Sequence, residues 1–240
     1  MKTRMIIVTL CAIALSFGFA FTSFAKDANT PVYTPGDGIS GSPHDFSSWV
    51  AGETRVCAFC HTPHHATVDA TVDYLPLWSR DLPATTYDSY ESATFDAGVD
   101  NLALVGDNLI GPSRLCMSCH DGSVAIDAYY GRPGDASGVM IDGDEYNDWG
   151  IGQVAGLSND HPIGFDYETV AAADTEIISN PVFAASSVAV ADVLFFDVTF
   201  GENVMTCSTC HDVHNTANAE DYFLYGAQAG SAICLTCHDK

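Results

Sequence analysis

The sequence predicts a fold of mostly irregular coil, with short helices and a few short strands, wrapped around covalently attached groups that replace a conventional core. Three observations predict it. Four copies of Cys-x-x-Cys-His punctuate the chain, at Cys57–His61, Cys116–His120, Cys207–His211 and Cys234–His238. Eight of the nine cysteines belong to these copies, so no pair is left over for a disulfide. The roughly 215 residues that follow an N-terminal leader are few to enclose four large groups and still build a separate apolar core. Each copy reads as a c-type haem attachment site, in which two thiols bond to the porphyrin and the adjacent His reaches the iron. Cys-x-x-Cys pairs also build zinc ribbons, but zinc does not require a His directly after every second Cys. The expectation is a multihaem cytochrome c with four covalently bound, stacked haems. Cys57, Cys60, Cys116, Cys119, Cys207, Cys210, Cys234 and Cys237 attach the haem c groups, and His61, His120, His211 and His238 are the proximal iron ligands.

Residues 1–25 read as a secretory signal peptide: Lys2 and Arg4, an apolar stretch from Ile6 to Phe21, and a small-x-small site at Ser23-Phe24-Ala25. The stretch is shorter than the roughly 20 residues a membrane span needs, and no basic cluster follows it. Cys11, the one cysteine outside a motif, leaves with this peptide; Leu10 before it is too large for a lipidation site. No other apolar run could span a bilayer. An exported, oxidising compartment fits haem c attachment.

The motifs then divide the chain into an N-terminal two-haem half, 26–150, and a C-terminal two-haem half, 151–240, forming one continuous haem-cored unit. His61 and His120 are 59 residues apart, His211 and His238 only 27, with 91 residues between His120 and His211. Short helices are expected at the motifs. Asp135 to Gly152 is rich in Gly and Asp and reads as a surface loop. Ala184 to Phe200 alternates in part (Val188, Val190, Val193, Phe195), suggesting a strand or short hairpin. The first motif of each half carries a second His three residues past the proximal one, His64 and His214, which reads as an internal repeat of a two-haem unit.

Four irons offer eight axial positions, and five His lie outside the motifs: His44, His64, His65, His161 and His214. The repeat nominates His64 and His214 as distal ligands. His44 and His161 lie in polar loops beside a Pro that helps fix their approach. His65, adjacent to His64, is the spare. Which distal His serves which iron is left open. Among methionines, Met117 is badly placed inside a motif, leaving Met140 and Met205; a Met ligand would raise the potential of its haem, and the supply of His makes one unnecessary. Closed bis-His haems suit electron transfer and not substrate binding at iron, so no enzyme activity is expected.

The chain is strongly acidic. Without Lys2 and Arg4 it holds 6 Lys and Arg against 31 Asp and Glu, a net charge of −25. Such a surface repels nucleic acid and anionic lipid, and attracts cations and basic protein patches. Asp142-Gly143-Asp144-Glu145 with Asp148 superficially resembles a calcium loop but lacks the full acidic spacing and the closing Glu.

These residues also carry a resemblance. Ser42-Pro-His-Asp-Phe, Cys57-Ala-Phe-Cys-His-Thr-Pro-His, Pro76-Leu-Trp-Ser, Cys116-Met-Ser-Cys-His-Asp-Gly, Asn159-Asp-His-Pro-Ile-Gly-Phe and the pair from Cys207 to His238 resemble the tetrahaem cytochromes that polymerise into extracellular filaments of metal-reducing bacteria (OmcE-like cytochrome nanowires). The closing pair is the least specific of these stretches. The resemblance implies stacked bis-His haems in alternating parallel and perpendicular pairs. It implies a filament of identical subunits in which one iron takes its distal His from the adjacent copy, with His44 one candidate donor. Other redox cytochromes and an external electron acceptor, such as a metal oxide, would be its partners, outside the cell or at its surface. His65 and the extreme acidity depart from the pattern. Two other functions compete: a monomeric periplasmic tetrahaem shuttle, and a terminal reductase with an open iron.

Overall fold

The computed structural model describes residues 38–69, 72, 74–83, 86–90, 92, 109–134, 150–151, 156–215 and 222–240. The leader, most of the 135–152 loop with its acidic Asp142–Asp148 segment, and Met140 lie outside them.

Helices are short and gather at the motifs. The first motif begins on a 3₁₀ turn, Val56–Phe59; the second closes helix α1, Pro112–His120. A second helix, α2, spans Tyr167–Ala173. The third and fourth motifs occupy α3, Cys207–Cys210, and α4, Ala232–Cys237. The His N–H reaches the carbonyl of the first Cys at 2.8 Å for His61, 3.1 Å for His211 and 2.9 Å for His238. One such turn puts residues i, i+3 and i+4 on one side, so both sulfurs and the imidazole share a face.

Local chemistry fixes where each helix starts. Pro112 opens α1, where a missing N–H costs nothing, behind Gly111 at φ 56°. A Cβ on Gly111 would lie 2.7 Å from the Phe195 ring, so space and backbone both demand glycine there. Asp166 caps α2 by accepting from the Thr169 N–H at 2.5 Å. Thr206 and Thr209 form a reciprocal cap on α3, the Thr206 N–H donating to Thr209 Oγ1 at 2.9 Å.

The alternating segment after residue 184 supplies two hairpins where the sequence suggested one strand or hairpin. Strands β1, Val182–Phe183, and β2, Val188–Ala189, pair antiparallel. So do β3, Phe195–Asp197, and β4, Glu202–Val204, with Phe195 opposite Val204. Asp197 closes the second turn, its Oδ1 accepting from the Thr199 N–H at 2.6 Å and the Phe200 N–H at 3.0 Å.

Burial is divided among small clusters that abut the motifs. Phe46, Ala58, Phe59, Ile126 and Tyr129 pack beside Cys60 and Cys119. Phe165, Tyr167, Val170 and Met205 form a second cluster and Phe183, Val188, Val190 and Tyr225 a third, both against Cys237. A fourth holds Met117, inside the second motif, with Tyr87, Leu109 and Leu157. Beside the first cluster, buried Glu53 and Tyr129 join exposed Arg55 in a polar network. Glu53 Oε1 accepts from the Arg55 N–H at 2.7 Å, and Oε2 accepts from Arg55 Nη2 at 2.6 Å and from the Tyr129 hydroxyl at 2.8 Å. The Arg55 guanidinium and backbone hold the Glu53 carboxyl down to about 2.

That network should show in acid. A carboxyl depressed in the folded state adds stability above its unfolded value of about 4.3 and loses it as pH falls through about 2. Glu53→Gln should cost about 1–2 kcal/mol at pH 7. Its thermal unfolding midpoint should converge on the wild type's as pH approaches 2. Equal midpoints at pH 7 would show that the network contributes nothing.

Candidate haem-binding sites

Three of the four motif His residues are held by the same arrangement of backbone. A second segment crosses each motif as a single antiparallel bridge, pairing His61 with Trp78, His211 with Leu224 and His238 with Ile177. At the first motif the Ser79 N–H donates to the Cys60 carbonyl at 2.9 Å, and the Thr62 N–H to the Leu77 carbonyl at 2.8 Å. The third repeats this with Tyr225 to Cys210 at 3.0 Å and Asp212 to Phe223 at 2.8 Å. At the fourth, Ile178 donates to Cys237 and Asp239 to Glu176, both at 2.8 Å. The second motif relies on its helix, with the Ile151 N–H donating to the His120 carbonyl at 2.8 Å.

The crossing segments also set the imidazoles. His61 Nδ1 lies 2.7 Å from the Pro76 carbonyl and His211 Nδ1 2.7 Å from the Tyr222 carbonyl. A carbonyl can only accept, so Nδ1 carries the proton and Nε2 keeps its lone pair for a metal. His161 is held likewise, with Nδ1 3.0 Å from the Pro162 carbonyl. Burial, with His120, His211 and His214 nearby, pushes His44 down to about 4, leaving a neutral ring. Burial lowers His161 as well.

Ring-centre distances bring three of the four distal candidates beside a motif His. A ligating imidazole nitrogen sits about 2 Å from its metal and about 1 Å from its own ring centre, so two rings sharing one metal have centres about 6 Å apart. His214 faces His61 at 6.2 Å, with ring planes 26° apart. His44 faces His120 at 6.1 Å and 73°, and His161 faces His238 at 6.4 Å and 70°. Each pair joins one motif His to one His from outside the motifs. Three of the four motifs therefore fit haem with both axial positions filled by the chain itself.

His211 is the exception, because among the described residues no His ring faces it at that distance. His64 is exposed, and its ring meets no other aromatic ring among the described residues. Its backbone is nonetheless fixed: the Thr62 hydroxyl accepts from the His64 N–H at 3.2 Å and donates to the His64 carbonyl. Asp212 treats His214 the same way, accepting its N–H at 3.1 Å. His65 adopts φ 62° and packs its ring on Tyr130 at 5.5 Å. His44 lies between His120 and Phe223, stacked on the latter at 4.8 Å and 8°. It is not on a free surface, so it does not fit the role of a ligand donated to another subunit. Met205 is buried among apolar side chains.

The sulfurs of successive motifs are neighbours. Cys60 and Cys119 pack against one cluster, and burial pushes the Cys60 thiol up to about 12. The Cys116 and Cys207 thiols hydrogen-bond to each other where α1 meets α3, beside a Cys207 N–H that donates to Ser113 Oγ at 3.2 Å. Burial also takes Cys210 up to about 12, with Cys237 and Cys234 adding to the rise. Among the described residues no three His, Cys, Asp or Glu converge as a zinc site requires. Sequence reasoning missed Thr62, the carbonyls of Pro76 and Tyr222, and Phe223. The only trace of the first crossing segment was Pro76-Leu-Trp-Ser among the family-like stretches.

Residues 201–240, which span the third and fourth motifs, match the family described as Doubled CXXCH motif. No curated protein matches the chain. The match to the doubled motif indicates covalently bound haem c, a multihaem c-type cytochrome and a part in electron transfer.

Proposed function

We propose that the chain is a tetrahaem cytochrome whose copies join into an extracellular electron-conducting filament, each subunit taking one distal ligand from the next. Haem c supplies a one-electron iron couple. The eight motif cysteines would bind the four groups, and the His61–His214, His120–His44 and His238–His161 pairs would orient three of them from both faces. With those positions filled and the fourth closed by a neighbouring copy, no iron would be left open for a reductase activity.

One observation carries the polymer: the first and third motifs are repeats down to their hydrogen bonds, yet only one of the repeated distal His residues has a partner. Thr62 corresponds to Asp212, Pro76 to Tyr222, Leu77 to Phe223, Ser79 to Tyr225 and His64 to His214. His214, three residues past the third motif, faces the first motif's His61. The repeat-related contact, from His64 to His211, is not made among the described residues of one chain, and two copies would have to supply it. Such a contact is head-to-tail, because it joins different surfaces of the two copies, and head-to-tail contacts that do not close into a ring propagate. Copies this acidic need apolar surface to meet through. Phe196, Val198 and Phe200, on and beside β3, are about half exposed or more, at 54%, 80% and 49%. Export through the residue 1–25 leader puts assembly outside the cell, with an external acceptor and other redox cytochromes as electron partners.

Three sets of variants test this reading. His161→Ala should turn one low-spin haem high-spin and let the reduced protein bind carbon monoxide, which the wild type should resist; carbon monoxide binding by the wild type would point to an open iron. His64→Ala should leave discrete particles in electron cryomicroscopy, each with three closed haems and one open. Thr62→Val should raise the concentration needed for assembly several-fold, and Thr62→Ser should restore it. Wild-type protein found only as discrete particles with four closed haems would favour the periplasmic shuttle.

A further inference from the structure

Among the described residues, the most deeply buried cation has no carboxylate within ion-pair distance. Arg80 is 1% exposed. Its Nη1 donates to the Ile126 carbonyl at 2.8 Å and its Nη2 to the Ala125 carbonyl at 2.7 Å, while buried Nε has no acceptor. Carbonyl dipoles solvate a guanidinium without neutralising it, and an uncompensated buried charge is expensive. If Arg80 served only to tie loops together, a neutral donor would do the same at lower cost.

Its position suggests what the charge acts on. Next to Arg80, the Ser79 N–H donates to the Cys60 carbonyl in the first motif. The carbonyls that Arg80 binds belong to the loop leaving the second motif, and Cys60 and Cys119 pack on the cluster shared by the two. Arg80 thus lies between the segment that crosses the first motif and the loop that leaves the second, and Ile126, whose carbonyl it binds, belongs to the cluster on which Cys60 and Cys119 pack. Asp121, next to the second motif, is half-buried, so solvent screens it more than it screens Arg80. The C-terminal half has no counterpart, because no Lys or Arg occurs between Pro133 and Asp239.

We propose that Arg80 makes the first and second haems the most readily reduced of the four, so that electrons held by the protein rest at its N-terminal end. The inference rests on haem c occupying the first two motifs, and it holds for a filament or a monomer alike. Reduction removes one positive charge from an iron, so a fixed cation nearby favours the reduced form. A unit charge on the order of 10 Å away, at an effective dielectric constant of about 20, changes the oxidised-to-reduced ratio on the order of tenfold.

Potentiometric titration of the four-haem protein, one electron per haem supplied by the electrode, reads this directly. Arg80→Gln should move two of the four components to lower potential by about tenfold in that ratio, about 59 mV for a one-electron couple. Arg80→Lys, which keeps the charge, should leave them in place. An unmoved Arg80→Gln curve overturns the proposal. Equal shifts in both variants would also overturn it, by assigning the effect to packing. Should Arg80→Gln fail to mature, the wild type decides. The near-parallel rings of His61 and His214 should give a rhombic low-spin signal in electron paramagnetic resonance, distinct from those of steeply crossed pairs. Its loss in the first half of the reductive titration supports the proposal, and its loss in the second half overturns it. A mass lacking haem at the first two motifs would fail the cytochrome reading itself, before any titration.

Discussion

The crossing of a second backbone segment over three of the four motifs is the contact on which the rest of the structure depends. A Cys-x-x-Cys-His turn alone is a short helix that would fray in water. The bridge fixes both sides of the proximal His through one hydrogen bond before it and one after it. Where a carbonyl of the crossing segment also meets Nδ1, the tautomer is set with the ring. The scheme appears at the first, third and fourth motifs, while the second replaces it with the longer helix α1. The small apolar clusters then pack around points already fixed, which is why burial is spread along the motifs. Glu53 and Arg80 fit the same logic, since each ties its segment to the loop that follows the second motif.

Much of the site was legible because it obeys local rules. Motif spacing nominated the residues that would attach haem, and counting His against axial positions nominated the ligands that could close the irons. The His at +3 after the first and third motifs exposed the repeat. What the sequence could not disclose is the pairing, because His44 with His120, His61 with His214 and His161 with His238 join residues far apart in the chain. The crossing segments were hidden for another reason. Their work is done by main-chain carbonyls, which any residue supplies, so Pro76 and Tyr222 need not look alike to act alike. Arg80 was passed over as one cation in an acidic chain, because burial is a property of the fold and not of the residue.

The fold itself was half legible. Short helices at the motifs and a coil-dominated chain followed from spacing and size. The β segment was read as one strand or hairpin because Val188, Val190 and Val193 alternate only in part. The break in that alternation marks the 3₁₀ turn Val190–Asp192, which separates two hairpins. Gly111 shows the opposite kind of limit. Its requirement comes from the Phe195 ring, supplied by a strand more than eighty residues later.

Phe223 belongs to two sites at once. Its main chain, held at φ 61°, receives the N–H of Asp212 beside the third motif, while its ring lies flat on His44, the partner of His120 in the second. A left-handed backbone at a bulky residue persists only where the surroundings over-determine it. The second and third sites are thus joined through one stiff residue, in addition to the Cys116–Cys207 contact. Thermal bending or tension on the molecule would have to be taken up elsewhere before it changed the spacing between these two sites. If haems occupy these two sites, electron transfer between them depends steeply on their separation, and such a joint would work as a mechanical spacer.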